Sequence, residues 1–414
     1  MSKTSSEKSV WYMNPFAGSI KEGNFGRPFF LSKSLRKFDI NCRVITSSFH
    51  HQLRYPVDIK SYFYSDFIED VPYTWVNTPR YQGNGLGRLK NMFVFAWLLW
   101  KHDLVKEKAL EKPDVIIVSS VHPFHFFAGR KWAKKYGAKL IFEVRDIWPL
   151  SLTSLLGVNP LHPLVLLLGW IEKQAYKHSD NVVSLLPNAY LHMQTKGLEK
   201  QKFNYIPNGI YINSDSNRST RHESYLNELK LKDKFIISYT GTHGVPNPMI
   251  PVLEAAKILK EKSIDNIALV LLGNGIEKPR LITFAQQNNL DNVRFLDSVP
   301  RVEVPAFLQM SDVCLVGGKN INLYKFGVSY NKLFEYMLAS KPIIFTLDSP
   351  NNPVELAGCG ICIKSDSPKK LAIAMEKISE MNIIERNQLG AKGHAYLLKE
   401  HTYDKLSKKY LNLF

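Results

Sequence analysis

GVSYNKLFEYMLASKPIIFTLDSPNNPVELAGCG, residues 327–360, tells more about the architecture than any other stretch of the chain. A glycine turn opens a helix whose first turns carry Ser329, Asn331, Lys332 and Glu335. An apolar strand, KPIIFTL, follows, and then a polar turn with Asn351, Asn352 and Glu355. Backbone N–H groups at a helix start, with a lysine beside them, suit a phosphate group. A carboxylate one turn further in can hold a ribose by its hydroxyls. A strand leading into a helix and back into a strand is the unit of a parallel, helix-covered sheet.

The same unit recurs in both directions. Residues 9–14, 42–46, 114–120, 139–144 and 181–186 read as strands of the first half. Helices are expected over 27–38, 88–109, 124–136 and 162–178. In the second half, strands are expected at 235–241, 267–273, 293–297, 312–318, 342–347 and 360–364. The helices between them fall at 248–262, 276–289, 301–309, 330–340 and 367–380. Apolar strands alternating with amphipathic helices imply α/β architecture, with parallel sheets covered on both faces. Two such series in tandem predict two Rossmann-like, doubly wound domains facing across a cleft. The Asn- and Ser-rich stretch 206–225 marks the boundary. The domains are expected at 1–208 and 209–395, with 396–414 a C-terminal helix crossing back to the first.

A chain of 414 residues fits two domains better than one core. Four cysteines are too few for a disulfide framework at this length and suit a reducing cytoplasm. The segment MSKTSSEKSV lacks the apolar core of a signal peptide. The apolar runs 93–100 and 163–171 are far shorter than the roughly 20 residues of a membrane span. They read as core-facing helices, or as helices that dip into a membrane face. The net charge is +17, and residues 1–200 hold 27 Lys+Arg against 16 Asp+Glu, so +11 of it lies there. A basic face attracts anionic lipid, a phosphorylated lipid or nucleic acid. No basic–aromatic nucleic-acid module or zinc finger is present, so no nucleic-acid partner is expected.

Ligands of doubly wound sheets bind beyond the carboxyl ends of the strands, so the loops there supply the candidates. After the first strand, Gly18, Gly23 and Gly26 followed by Arg27 form a glycine-bearing loop suited to a diphosphate. A mobile surface loop fits the same composition. His122 in SSVHPF, and Arg145 and Asp146 in EVRDIWP, can bind hydroxyls or move protons; a turn-shaping ion pair is the alternative for the latter two, though the stiff, strand-terminal Trp148-Pro149 turn favours a functional role, whereas a histidine before proline, as His122 is, is often structural. Asn-Gly in PNG, 207–209, reads as a hinge. In the second half, Gly241, Thr242, His243 and Gly244 close the first strand, and Gly273 and Asn274 belong to the strand-to-helix turn LLGNG. A tight chain reversal explains the latter glycines without a ligand. Cys359 and Cys362 match C-x-x-C, but lie in an apolar strand pattern with no second pair, and read as small core residues.

At FEVRDIWPLSL, IPNG, YTGTHG and GVSYNKLFEYMLASKPII…NNPVELAGCG the chain resembles the family 4 retaining glycosyltransferases of GT-B fold. It looks most like the bacterial branch building O-antigen and capsular polysaccharide, fucosamine-type amino-sugar transferases among them. The resemblance implies transfer of an N-acetylated amino sugar from a nucleotide-sugar, UDP-linked, to a polyprenyl-diphosphate-linked saccharide. It further implies a cytoplasmic protein in peripheral contact with the anionic inner face of the bacterial inner membrane. No metal or other cofactor is expected, since no Asp-x-Asp motif stands at a strand end. Glu335 matches the second glutamate of the family's pair, expected on the donor ribose, and Lys332 falls where a cation neutralises the diphosphate. Arg145-Asp146 stands where many members carry His-Asp, near the sugar and acceptor. Lys332, Arg145 and Asp146 are thus the catalytic candidates, with His122 beside the latter two for the acceptor. Gly241, Thr242, His243, Gly273, Asn274, Ser329, Asn331, Leu333 and Glu355 complete the expected donor site, and Gly23, Gly26 and Arg27 the diphosphate loop. The first glutamate of the pair has no match near Tyr324–Gly327, and Lys332 would replace the Arg and Lys that members carry after the strand at 235–241. A UDP-sugar 2-epimerase shares two Rossmann-like domains but needs several cleft carboxylates, whereas these loops hold Asn, Ser and Lys. A non-catalytic basic membrane-binding protein is the remaining alternative.

Overall fold

In a computed structural model the described residues are 7–18, 26–83, 85–120, 122–212, 221–244, 247, 249–317, 322–364 and 366–414. The chain divides into two compact units, Met1–Tyr211 with Tyr403–Phe414, and Ile212–Thr402.

The first unit runs β1 (Lys8–Met13), α1 (Arg27–Leu35), β2 (Ile40–Ser47), β3 (Phe63–Ile68), β4 (Val71–Val76), α2 (Leu86–Lys101), α3 (Leu104–Lys108), β5 (Val115–Ser120) and α4 (Phe126–Tyr136). It continues through β6 (Lys139–Val144), α5 (Leu150–Leu156), α6 (Pro163–His178), β7 (Asn181–Ser184), α7 (Tyr190–Met193) and β8 (Phe203–Tyr205). The second unit contains α8 (Arg221–Glu228), β9 (Phe235–Thr240), α9 (Ile250–Glu261), β10 (Ile267–Leu272), α10 (Lys278–Gln287), β11 (Val293–Leu296), α11 (Val304–Gln309) and β12 (Val313–Val316). After these come α12 (Asn331–Leu338), β13 (Ile343–Phe345), α13 (Pro353–Ala357), β14 (Gly360–Cys362), α14 (Pro368–Glu380) and α15 (Ile383–Glu400). The last helix, α16 (Tyr403–Leu411), belongs to the first unit, so the return comes at Tyr403 and α15 stays with the second.

Strands β1, β2 and β4–β8 form one parallel sheet in the order β4-β2-β1-β5-β6-β7-β8, edged by antiparallel β3. The β3–β4 reversal is made by Glu69 and Asp70, both with positive φ. Hairpin turns of this kind usually carry Asn-Gly, which is why the sequence pattern does not announce this hairpin. The second sheet, β11-β10-β9-β12-β13-β14, is parallel throughout. Its order reverses between β9 and β12, the doubly wound arrangement expected of a Rossmann-like domain. Strands β4, β5 and β10 are buried at every residue, as helices on both faces require. Helices α5, α7, α8 and α13 are not legible as helices in the sequence, and the expected C-terminal helix 396–414 is instead the end of α15 followed by a separate α16.

The first unit is tied together by a buried polar group. Arg27, at the start of α1, donates from Nε to Glu143 of β6 at 2.8 Å, and both side chains are essentially inaccessible. Its Nη2 also reaches the Ile206 carbonyl at 3.0 Å and the Tyr410 hydroxyl at 3.2 Å, and its Nη1 donates to the Pro207 carbonyl. Glu143 further accepts from Tyr12 and Ser119, each at 2.7 Å, and from Tyr410. Burial alone would raise the Glu143 carboxyl, but the Arg27 guanidinium and the Tyr410 and Tyr12 hydroxyls hold it below its ordinary value. The expectation that Arg27 approaches a diphosphate is therefore corrected: its donors are spent inside the fold. Tyr403, Leu406, Tyr410 and Leu413 of the C-terminal segment join the apolar core around Val10, Leu31 and Ile117.

Removing one member of such a pair strands a buried charge, at a cost of about 3–5 kcal/mol. Glu143→Leu should destabilise the first unit on that scale in urea unfolding. Glu143→Leu combined with Arg27→Met should recover most of the loss, and a double variant no better than the single one would contradict this account.

Candidate functional site

The second sheet reverses its order at β9 and β12, and the loops leaving those strands gather the expected donor residues. The N-terminal end of α12 points its first turn at the loop after β9. From there Lys332 donates to the Tyr239 hydroxyl at 2.8 Å and to Asn247 Oδ1 at 3.2 Å. Its ammonium lies 4.1 Å from the centre of the Tyr239 ring. Burial pushes the Lys332 ammonium down to about 7, against the opposing pull of Glu335. Both of its hydrogen-bond partners are neutral, and the Glu335 carboxylate offsets only part of the cost of burying its charge. Burial raises Tyr239, so it remains a neutral phenol there.

Two loops are pressed together beside Lys332. Gly241 has φ +141° and Gly273 has φ +148°. A Cβ at Gly273 would stand 1.9 Å from the Gly241 carbonyl oxygen, and one at Gly275 2.1 Å from that of His243. Backbone bonds close the seam, from Gly241 N–H to Leu272 and from His243 N–H to Asn274, both at 3.0 Å. The glycines thus let the β9 and β10 loops touch. Lys278 clamps the same turn through the Gly273 and Leu296 carbonyls and the Asn274 and Asp297 side chains, at 2.7–3.1 Å.

Glu335, one turn into α12, is bound by Arg301 Nη2 at 2.7 Å. Arg301 was visible only as the first residue of an expected helix, with nothing in the sequence to pair it with Glu335. The loop after β12 is stapled by Asn351, which accepts from the Val328 N–H and donates to the Val328 carbonyl, each at 2.8 Å. Ser329 is half-buried, Asn331 and Thr242 are exposed, and Glu355 is exposed in the first turn of α13 behind its cap Asn352. Leu333 is fully buried and packs in the core, so its side chain is not a donor contact. His243 is also fully buried, between Tyr239 and Phe295, and neither ring nitrogen has a hydrogen-bond partner among the described residues. Burial, with Lys278 and Lys332 nearby, pushes it down to about 4, so it is a neutral imidazole.

In the first unit, Arg145 and Asp146 follow β6, half-buried and exposed respectively, with the Arg145 N–H bound to Ser120 Oγ at 3.2 Å. His122 follows β5 but is fully buried among Phe16, Phe124 and His125, its ring nitrogens again without partners among the described residues. Direct contact with an acceptor hydroxyl is corrected for this residue, because no part of the ring reaches solvent. Gly26 caps α1 in extended backbone, and Gly23 lies outside the described residues. Cys359 is buried and Cys362 half-buried in and beside β14, and both are free thiols. Among the described residues no three His, Cys, Asp or Glu side chains gather as ligands for a metal ion.

Two Rossmann-like, doubly wound sheets in tandem are the architecture of the GT-B class. The family described as "Glycosyl transferase 4-like domain" matches residues 31–209, and "Glycosyl transferases group 1" matches 228–395. The chain belongs to family 4 of the GT-B glycosyltransferases. It is 29% identical over 211 residues to "Putative colanic acid biosynthesis glycosyl transferase WcaI" of Escherichia coli (strain K12), across 50% of this chain and 51% of that protein. The match therefore spans about half the length of that relative. In fold it is similar to sucrose-phosphate synthase from Thermosynechococcus elongatus (TM-score 0.72, 13% identity, 98% of both chains). It is also similar to Anabaena HepE in complex with UDP and glucose (TM-score 0.67, 12% identity, 98% of this chain and 99% of that one).

If the β9 and β10 loops meet as described, Gly273→Ala overpacks their seam. A loss of about 1–3 kcal/mol in denaturant unfolding is expected. Gly317→Ala, whose added methyl would find its nearest neighbour at 3.6 Å, should stay near wild type. Equal stability of the two variants would contradict the seam.

Proposed function

We propose that the protein transfers a sugar from a UDP-linked donor to a polyprenyl-diphosphate-linked saccharide in O-antigen or capsular polysaccharide synthesis. The moved sugar is an N-acetylated amino sugar, and its anomeric configuration is retained. The observation that carries the reading is the Lys332 ammonium, seated on Tyr239 and Asn247 at the strand-order reversal of the second sheet. The UDP and glucose carried by the similar Anabaena structure support a nucleotide-sugar donor.

In this reading the diphosphate lies against Lys332 and the N–H groups opening α12, and Glu335, oriented by Arg301, takes the ribose hydroxyls. The acceptor oxygen bonds to the anomeric carbon as the bond from that carbon to the phosphate oxygen breaks. The acceptor's proton passes to the departing phosphate, so no protein base is required. The charge growing on that phosphate is met by Lys332 and backbone N–H groups, in a metal-independent reaction. Arg145 and Asp146 hold the acceptor from the first unit, at the inner face of the bacterial inner membrane.

UDP should raise the melting temperature of the purified protein by mass action, and an unchanged melting curve at millimolar UDP would remove the reading's basis. Lys332→Ala should cost about 100- to 1000-fold in turnover, the scale of losing one transition-state donor, while melting stays intact. Because burial holds Lys332 near 7, part of the free protein carries it uncharged at pH 7.5. An arriving diphosphate favours the charged form, so UDP binding should take up a proton. Affinity should weaken as pH rises through that value. Calorimetry in buffers of different ionisation enthalpy reads the uptake, and Lys332→Arg should abolish it. Proton uptake unchanged in that variant would assign it elsewhere.

A further inference from the structure

We infer that the first unit carries a further binding site, for an acidic saccharide, in a cleft between the segment entering β3 and helix α3. The cleft measures about 460 Å³, within the range of small-molecule sites. It shares no residue with the donor or acceptor candidates. One wall is the ring of Tyr62, which is 56% exposed. The His102 ring supports it at 5.1 Å between centres, and buried Phe63 packs on His102 at 5.5 Å. A ring held by packing yet open to solvent offers a flat apolar surface with a hydroxyl at its edge.

The segment is fixed before any ligand arrives. Asn77, just after β4, donates from its backbone N–H to the Tyr62 carbonyl at 2.9 Å. Its Nδ2 donates to the Ile59 and Ser61 carbonyls at 3.1 and 3.2 Å. Ser61 Oγ donates to the Phe63 carbonyl at 2.7 Å. A segment pinned in this way costs little to order on binding.

The polar groups sort by charge and by the bonds they can still make. Lys60 and Lys108 line the cleft, and neither has an ion pair or hydrogen bond among the described residues. Glu107 lines it too, but already accepts from His102 Nδ1 at 2.7 Å and from the Asp103 N–H at 3.1 Å. The bond from His102 holds the Glu107 carboxyl below its ordinary value. The uncommitted charge in the cleft is therefore positive. The side-chain protons of Asn77 and Ser61 are spent, so Asn77 Oδ1, Ser61 Oγ and the remaining lone pairs of Glu107 are left as acceptors. Uncommitted ammonium groups call for an anion, uncommitted acceptors for O–H donors, and an open aromatic ring for a flat C–H face. A sugar ring bearing a carboxylate or a phosphate supplies all three. The site gives the protein a grip on a charged glycan through residues other than those proposed for transfer.

Trigalacturonate should bind the full chain in calorimetry at low salt and weaken as salt rises, with neutral maltotriose about 10-fold weaker. Glucose 6-phosphate distinguishes a phosphate-bearing sugar from a carboxylate-bearing one, and binding of either supports the site. Tyr62→Ala should weaken the acidic sugar about 10-fold, the scale of one aromatic contact. Lys60→Gln/Lys108→Gln should do so about 10-fold through two exposed charges. Lys369→Gln/Lys370→Gln, exposed on α14, should bind as wild type. Melting curves of the cleft variants should match wild type, with or without UDP. Wild-type protein that binds neither acidic sugar overturns the inference, as does binding that survives in the cleft variants or falls equally in the α14 variant. Displacement of the sugar by UDP would assign it to the nucleotide site and overturn it too. Inorganic phosphate binding as tightly as glucose 6-phosphate, with no response to Tyr62→Ala, would reduce the cleft to an anion patch. A missing UDP shift with saccharide binding intact would count against the proposed function alone.

Discussion

The first unit depends on one ion pair that never meets water. Arg27 and Glu143 sit in a setting where an isolated charge would be prohibitive, and each is tolerated because the other, with Tyr12, Ser119, Tyr410 and two carbonyls, satisfies it. The partners come from β1, β5, β6, α1, the segment at 206–207 and α16. A network of this kind fixes geometry more than it adds stability, because its members accept few other arrangements. It holds the last helix of the chain, through Tyr410, against the unit where the chain began.

The second unit solves a different problem: it keeps a cation half out of water with no anion in its recorded contacts. Lys332 rests on a phenol, an amide oxygen and a ring face, all neutral. The seam of Gly241, Gly273 and Gly275 brings two strand-end loops to backbone contact next to it. The neighbouring carboxylate, Glu335, is held by Arg301 rather than by Lys332, three residues earlier. The Glu335 carboxylate thus pairs with Arg301 while still exerting an electrostatic pull on Lys332.

Much of this was legible in advance where a residue's role follows from its own neighbours in sequence. The strand–helix alternation gave both sheets, and the helix start at 331 put Lys332 and Glu335 one turn apart. The β3–β4 hairpin was hidden because Glu69-Asp70 is an uncommon pair for a left-handed turn. Arg27 looked like a ligand because a glycine-bearing loop precedes it, and His122 because it ends a strand. Both are buried by side chains more than a hundred residues away or by an aromatic cluster that no spacing reveals.

Periodicity of apolar residues, acting over one or two turns, determined two helix-covered, largely parallel sheets and the helix that carries Lys332. Which polar groups face solvent is a matter of long-range contact. Only the folded chain could pair Arg27 with Glu143 and Glu335 with Arg301. Hydrophobic pattern is written locally along a strand or helix, whereas the satisfaction of a buried charge is settled by whatever distant segment packs against it.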